Sequence, residues 1–257
     1  MRLGADILAM AFVIATLALN ATMTVEYLNT TVVLNQNTSA HVVEILYLQV
    51  SNDSMAQYIQ DRQAVNLTIS NWQQVLNTDL LVQHILNAHL GMYDFTFLPG
   101  PIRTVPNGGI ATLVFDYYVR NVTTVKQVAP RKFSYSFNDS VFNFMHIASG
   151  QALPPNARLN IIVPKGTQVL AAYPLPDNPL ISIIGNFSGQ STFSWYSGEP
   201  LEKFTFTYLV TQSLEQEVVT YVSQLYSSYS LVIFIVVVAA IALGAIYLYT
   251  SLASPKG

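Results

Sequence analysis

The side chains in this sequence that could act on a bond or hold a metal ion are four histidines and a scatter of carboxylates, with no cysteine. His84 and His89 are five residues apart. On the helix predicted by the surrounding apolar spacing, that offset turns the two rings about 140° from one another, too far to share a metal. His41 and His146 fall in strand-like stretches among apolar neighbours, where an imidazole serves as a hydrogen-bonded packing group. Asp53, Asp61, Asp79, Asp94, Asp116, Asp139 and Asp177 are spread along the chain, and the paired carboxylates of glycoside hydrolysis are defined by separation in space. Ser149-Gly150 and Ser197-Gly198 lack the G-x-S-x-G frame of a nucleophile elbow, Gly108-Gly109 is not followed by Lys-Ser/Thr, and no zinc-helix motif occurs. Cysteine-based zinc, haem and dinuclear copper sites are excluded. Trp72 and Trp195 could stack on sugars, but packing in a core is the expected role. The expectation is a non-enzymatic protein with no catalytic, cofactor-binding or metal residue. The alternative is an extracellular membrane-anchored hydrolase or carbohydrate-processing enzyme whose carboxylates converge only in three dimensions, marked by a pocket that holds two of them.

One type of chemical site does recur. Asn-X-Ser/Thr sequons begin at Asn20, Asn29, Asn37, Asn52, Asn66, Asn121, Asn138 and Asn186, where chance would place roughly three. All precede the uncharged apolar run Leu231 to Tyr249, and no charge lies between Glu217 and Lys256. At a rise of about 1.5 Å per residue such a helix covers roughly the 30 Å hydrocarbon layer. Tyr226, Tyr229, Tyr247 and Tyr249 fall where an aromatic belt would. Lys256 on one flank, against Glu215 and Glu217 on the other, adds a small positive bias to the tail. Acceptors for N-linked glycans belong to exported loops, so the domain before the run is expected outside and the tail inside the plasma membrane. Arg2 followed by Ile7 to Leu19 predicts a signal peptide or an uncleaved N-terminal anchor.

The expected organisation is a signal segment at 1–21, an ectodomain at 22–212 (one body, or two divided as 22–120 and 121–212), a helical stalk at 213–229, a transmembrane helix at 230–250 and a tail at 251–257. The fold class expected is mainly β: an antiparallel β-sandwich with a short helical insert. Thr24 to Leu34 and Ser39 to Val50 read as a hairpin with Val43, Ile45 and Tyr47 on one face. Ser54 and Asn71 are candidate caps of two helices, the second carrying Trp72, Val75 and Leu76 and running on through Leu81, Ile85 and Ala88 to Gly91. Strands are predicted at Tyr93 to Leu98, Ile110 to Val119, Phe133 to Phe137, Val141 to His146, Ala157 to Val163, Gln168 to Tyr173, Ser191 to Trp195 and Lys203 to Val210, with turn residues between them. The last two are expected to pair, with Phe193, Trp195, Phe204, Phe206 and Tyr208 facing the core. Charged residues are 10% of the chain and the net charge is −3, which excludes the basic footprint of a nucleic-acid binder. The expected partners are the lipid bilayer, N-linked glycans and other envelope or membrane proteins. Ala240 and Gly244 form a small-xxx-small match that could support a homo-oligomer.

In its order of features the chain resembles uncharacterised archaeal membrane-anchored ectodomains, best represented in haloarchaea. The matching pieces are Val32-Val33-Leu34 to Val42-Val43-Glu44, the helical insert, and Ile102 to Val119 with its Gly-Gly before an aromatic strand. They continue with Leu159-Asn-Ile-Ile-Val-Pro164-Lys-Gly166, Pro174-Leu-Pro176 and Phe193-Ser-Trp195. The resemblance covers about Thr24 to Val210 and implies a fold, without implying catalysis. Relatives often carry a cytoplasmic winged helix-turn-helix domain, a pattern not found in these residues.

Overall fold

The computed structural model describes residues 23–64, 68–78, 80–148, 150–178 and 187–213, together with the residues from 215 to 244 other than 216, 220, 221, 224, 225, 230, 231, 233, 237, 240 and 242. The expected signal segment, the end of the expected transmembrane helix, the whole tail and the sequon asparagines Asn20, Asn66 and Asn186 lie outside these residues.

The described chain is mainly β. Strand β1 (Met23–Leu34) turns at Asn35 to Ser39 into β2 (Ala40–Val50). The two strands pair antiparallel from Met23 opposite Val50 to Leu34 opposite Ala40. Their alternation is visible in burial: Leu28, Val32, Val42, Leu46 and Leu48 are buried, and Val43 and Ile45 on the other face are half-buried. Burying one such side chain is worth roughly 1.5–3 kcal/mol, and a one-residue slip would expose the whole row, which fixes the register.

Two helices follow, α1 (Met55–Gln63) and α2 (Ile69–Leu76). Ser54 precedes α1 but makes no side-chain capping bond. The working cap of α2 is Thr68, which shares a capping box with Asn71 and relieves two otherwise unpaired N–H groups. α2 ends at Asn77, which is left-handed with φ 45°, so the predicted continuation through Leu81 and Ile85 to Gly91 does not form. Tyr58 on α1 and Trp72 on α2 meet edge to face at 5.5 Å, both buried. Tyr58 donates its hydroxyl to the Gly100 carbonyl at 2.8 Å.

The sheet continues with β3 (Met92–Pro99), β4 (Arg103–Val105) and β5 (Gly108–Val119). Gly108 (φ 141°) lies where a Cβ would sit 2.1 Å from the Val50 carbonyl oxygen, so β5 can approach the end of β2 only with glycine there. Gly108→Ala is expected to lower the melting temperature by several degrees, the effect of roughly 1–3 kcal/mol of strain, measurable by circular dichroism. Further strands are β6 (Thr123–Ala129), β7 (Lys132–Phe137), β8 (Met145–Ile147), β9 (Gly150–Ala152), β10 (Ala157–Ile162), β11 (Gln168–Tyr173), β12 (Thr192–Tyr196) and β13 (Thr205–Thr211). Val141, expected in a strand, instead closes a 3-10 turn at Asp139–Val141.

The larger sheet has seven strands, ordered β12-β10-β1-β2-β5-β3 with β4 also on β5; a second has four, ordered β11-β13-β7-β6; β8 and β9 form a small pair. The expectation of purely antiparallel pairing is corrected at one place. β10 lies parallel to β1, with Leu28 opposite Ala157 and Val33 opposite Ile162. β12 and β13 are not partners either, since β12 pairs with β10 and β13 with β11. They belong to different sheets and meet through side chains. Phe193 packs on Phe206 at 5.2 Å, and Trp195 on Phe204 at 5.1 Å and on Phe206 at 6.0 Å. The core-facing parity expected for these residues holds, and all four are buried.

Three buried tyrosines give the fold an alkaline limit. Tyr58, Tyr117 and Tyr208 are fully buried, and burial pushes each hydroxyl above its ordinary 10.0, for Tyr58 up to about 12. Raised values mean that the unfolded chain loses these protons first. The stability they contribute is therefore complete below pH 10 and is lost as pH rises. For Tyr58 the window is pH 10.0 to about 12, and a shift of that size corresponds to roughly 2–3 kcal/mol. Urea midpoints should be level between pH 7 and 9 and fall from pH 10 upward, less steeply in Tyr58→Phe.

Contacts divide the chain into two compact units, one made of residues up to Val128 together with Phe133–Val210, the other of Ala129–Lys132 with Thr211–Gly257. In the second, Arg131 donates from Nε and Nη2 to the Gln212 carbonyl at 3.0 and 2.7 Å and lies 3.7 Å from Glu217 Oε2. Its described residues from 215 to 244 are helical, and the large apolar side chains described among them, from Val218 to Leu243, are 48–68% exposed. Among the described residues no helix is long and apolar enough to cross a membrane.

Candidate functional site

The main polar centre of the core is built on Glu44. It stands on the buried face of β2 between Val42 and Leu46, fully buried. A carboxylate there must be fully hydrogen-bonded or it would cost several kcal/mol, on the order of the penalty for an unpaired buried charge. Three donors supply the bonds. The His84 main-chain N–H donates to Oε1 at 2.8 Å, His84 Nδ1 meets Oε2 at 2.5 Å, and the Tyr117 hydroxyl on β5 donates to Oε1. The Tyr117 hydroxyl accepts in turn from the Ile85 N–H at 3.3 Å. Burial, then the negative charge of Glu44, hold the Tyr117 hydroxyl protonated far beyond its ordinary range.

His84 reaches this carboxylate because its segment is non-helical. Leu81 and Ile85 are buried, and residues 83–86 run beside 141–143. The Leu86 N–H donates to the Val141 carbonyl at 2.7 Å and the Asn143 N–H to the His84 carbonyl at 2.8 Å. Gln151 holds the opposing wall, accepting from the Phe144 N–H at 2.8 Å and donating to the Phe142 carbonyl at 3.0 Å. Phe144 stacks on the His84 ring at 5.0 Å. Above this pair opens a cleft of about 470 Å³ lined by Leu80, Val82, His84, Asn143, Phe144, Met145 and His146.

The other histidines separate. His41 Nε2 lies 2.7 Å from Asp116 Oδ1 on the half-exposed face of the large sheet, a contact that solvent holds to at most about 1 kcal/mol. Its ring stacks on Tyr118 at 4.6 Å, Tyr118 on Tyr93 at 5.4 Å, and the Arg120 guanidinium lies 4.9 Å from the Tyr93 centroid. The result is a ribbon of flat groups across β2, β5 and β3. His89 is in a turn near Gly91, its N–H bonded to Asn87 Oδ1, so the helical offset from His84 has no counterpart. Among the described residues no group of three or more His, Asp or Glu could hold a metal.

Among the other carboxylates, Glu199 is pushed up by burial and then by the charge of Asp177. A second cleft of about 260 Å³ is lined in part by Asp139, Glu202 and Lys203. Trp195 is fully buried and donates Nε1–H to the Pro174 carbonyl at 2.9 Å; Trp72 is 1% exposed. Neither indole has a face open to a sugar.

Five sequon asparagines are described. Asn37 and Asn138 share one geometry. Asn37 Oδ1 accepts from the Ser39 N–H and hydroxyl at 3.2 and 2.7 Å, and Asn138 Oδ1 from the Ser140 N–H and hydroxyl at 3.2 and 2.8 Å. Each carboxamide is thus fixed by its own sequon's third residue on a turn, an arrangement asparagine favours. Asn121 is exposed and left-handed, with Oδ1 accepting from the Thr38 hydroxyl at 3.2 Å. Asn52 is exposed in a 3-10 turn. Asn29 differs: it lies in mid-strand on β1, half-buried, its Oδ1 accepting from Asn160 Nδ2 at 2.8 Å.

The Glu44–His84 pair is the feature the sequence reading missed, although a signal existed. The alternation that puts Val43, Ile45 and Tyr47 on one face puts Glu44 with Val42 and Leu46 on the other, and a carboxylate in a core row calls for a partner. Comparison of the sequence with protein-family models and with curated proteins gives no match.

Proposed function

We propose that this chain is a membrane-anchored, N-glycosylated surface protein of archaeal type, with a two-sheet sandwich outside the plasma membrane, a helical stalk, one transmembrane helix and a short inner tail. It acts as a non-enzymatic interaction module, an envelope-layer component or an accessory subunit of a membrane complex. The observation that carries this reading is the order of the sequence: eight sequons, the last at Asn186, followed by an uncharged apolar run from Leu231 to Tyr249. Two structural features support it. Asn37, Asn52 and Asn121 are exposed on turns, where a glycan fits without disturbing a strand. The described apolar side chains of the C-terminal helix are exposed, as a lipid-facing helix requires, while those of the β unit form a core. The aromatic ribbon from His41 to Arg120 offers a surface for a partner, since stacked rings with polar ends are common at interfaces.

Protease added to intact cells should degrade the segment from Thr24 to Ser213 and leave the apolar helix protected. Complete protection that is lost only on permeabilisation would reject the topology. Glycan occupancy, read by mass spectrometry of glycopeptides, should be high at Asn37, Asn121 and Asn138 and lowest at Asn29 among the described sequons. Full occupancy of Asn29 would mean that modification precedes its burial in the sheet.

A further inference from the structure

The face of the large sheet that turns away from the core carries a second aromatic cluster, built around an arginine and separate from the ribbon of His41, Tyr118 and Tyr93. Arg158 on β10 stands opposite Tyr196 on β12 and Asn29 on β1, and Tyr27 on β1 stands opposite Tyr47 on β2. The Arg158 guanidinium lies 5.0 Å from the Tyr196 ring centroid, and the Tyr27 and Tyr47 rings are 6.0 Å apart. Burial raises the Tyr27 hydroxyl, the charge of Arg158 lowers it, and Tyr196 and Tyr47 raise it, so these side chains form one patch. Tyr196 is 44% and Tyr47 37% exposed.

The fold uses only one side of Arg158. Nη2 donates to Ser194 Oγ at 2.9 Å and Nε beside it is buried without a partner, so that side of the guanidinium faces the sheet. Nη1 has no hydrogen bond among the described residues, yet it is not one of their buried unpaired atoms, and so it stays open to solvent. The ion pairs among the described residues are made by His41, His84 and Arg131, which leaves the charge of Arg158 without an acid there. A guanidinium is charged at every pH at which a protein stays folded. Its outer end, Nη1 with the second Nη2 hydrogen, matches the two oxygens of a carboxylate.

We infer that this patch binds an acidic polysaccharide of the uronate type, with a ring carboxylate on the outer end of Arg158 and sugar rings lying flat on Tyr196 and Tyr47. The permanent cation selects an anion, and the exposed tyrosine faces suit the C–H faces of a pyranose. An extended peptide has no ladder to join at this end of the sheet. The outer edge of β12 is already taken: the Ser194 N–H donates to Asn178 Oδ1 at 2.9 Å, the Asp177 N–H to the Ser194 carbonyl at 2.7 Å and the Tyr196 N–H to Asp177 Oδ2 at 3.0 Å. A polysaccharide needs only the face. Asn29 borders the patch, so the low glycan occupancy expected there keeps it open. The inference rests on the reading of the chain as an interaction module and names a partner for it.

The test is calorimetric titration of the full chain, made without N-glycans and held in lipid nanodiscs, with trigalacturonate, its methyl ester and triglutamate. The ester keeps the rings and loses the charge; the peptide keeps the charge and loses the rings. Trigalacturonate should bind saturably, and the other two roughly tenfold more weakly, because a charge-assisted bond is about twice as strong as a neutral one and stacking adds to it. Arg158 is half-buried and its replacement could disturb the sheet, so the deciding variant is Tyr196→Ala. It should keep most of the parent thermal stability and bind trigalacturonate roughly fivefold more weakly, whereas Tyr173→Ala, which removes a 59% exposed tyrosine on β11 of the other sheet, should bind as the parent does. Ester or triglutamate binding as tightly as trigalacturonate, unchanged binding in a folded Tyr196→Ala, equal loss in Tyr173→Ala, or no saturable binding would each overturn the proposal. None of these results bears on protease shaving of intact cells, which decides the anchored topology separately.

Discussion

Trp195→Ala is expected to cost about 3–5 kcal/mol, a large part of the roughly 5–15 kcal/mol that holds a typical domain folded. The indole is fully buried between the two larger sheets, in contact with Phe204 and Phe206 and bonded through Nε1 to the Pro174 carbonyl. Alanine would leave a cavity at a point where the aromatic neighbours are fixed by their own strands, and would strand the carbonyl of Pro174. The melting temperature of the purified protein should fall by roughly 6–20 °C, and the yield of folded protein should fall with it. Trp195→Phe should recover part of the packing but not the hydrogen bond. An unchanged midpoint would show that the indole contributes nothing to the core.

Glu44→Ala is expected to be comparably damaging, on the order of 3–5 kcal/mol, for a different reason. Little volume is lost, but the His84 ring, the His84 N–H and the Tyr117 hydroxyl would all be left buried without their acceptor. Glu44→Gln should be milder, because a carboxamide oxygen keeps the bonds from the main chain and from Tyr117 while the His84 ring changes tautomer to accept from the amide nitrogen. The informative experiment is the pair Glu44→Leu and His84→Leu. Each alone should lower the denaturant midpoint strongly, and the double variant should be more stable than the sum of the two losses implies, because removing both partners leaves fewer orphaned groups. Simple additivity would mean that the two side chains do not depend on one another.

Much of the fold follows from alternation that can be read residue by residue. Val42, Leu46 and Leu48 on β2 and Ala111, Leu113, Phe115, Tyr117 and Val119 on β5 are the buried rows, whereas Val43, Ile45 and Tyr47, the face picked out on β2, are the more exposed one. Parity also places Phe193, Trp195, Phe204 and Phe206 in the core, although it does not reveal which strands pair: facing the same core and sharing a ladder leave the same pattern. β6 had no readable signal because Thr124 to Val128 are all exposed, so neither face carries an apolar row. Leu81, Ile85 and Ala88 mimicked a helical stripe. Asn77 ends that helix, and the segment beyond it is held by Glu44 and by the strand-like bonds to residues 141–143, contacts made by parts of the chain distant in sequence. The same holds for the candidate site. Glu44 was legible as an anomaly in a core row, whereas its partnership with His84 exists only once β2, β5 and this loop are assembled.

The parallel pairing of β1 with β10 bears on how the molecule is made. A nascent chain emerging N-terminus first can close the β1–β2 hairpin once residue 50 is free and add β5 by residue 119. The flank of β1 from Leu28 to Val33 keeps its backbone groups unpaired until residues 157–162 arrive. During that interval the growing polypeptide presents a strand able to recruit another molecule, and contacts so remote in sequence form slowly because the intervening loop must first be closed. Nascent chains stopped before Ala157 should therefore associate with one another or with a holding chaperone, and those carried past Tyr196 should not.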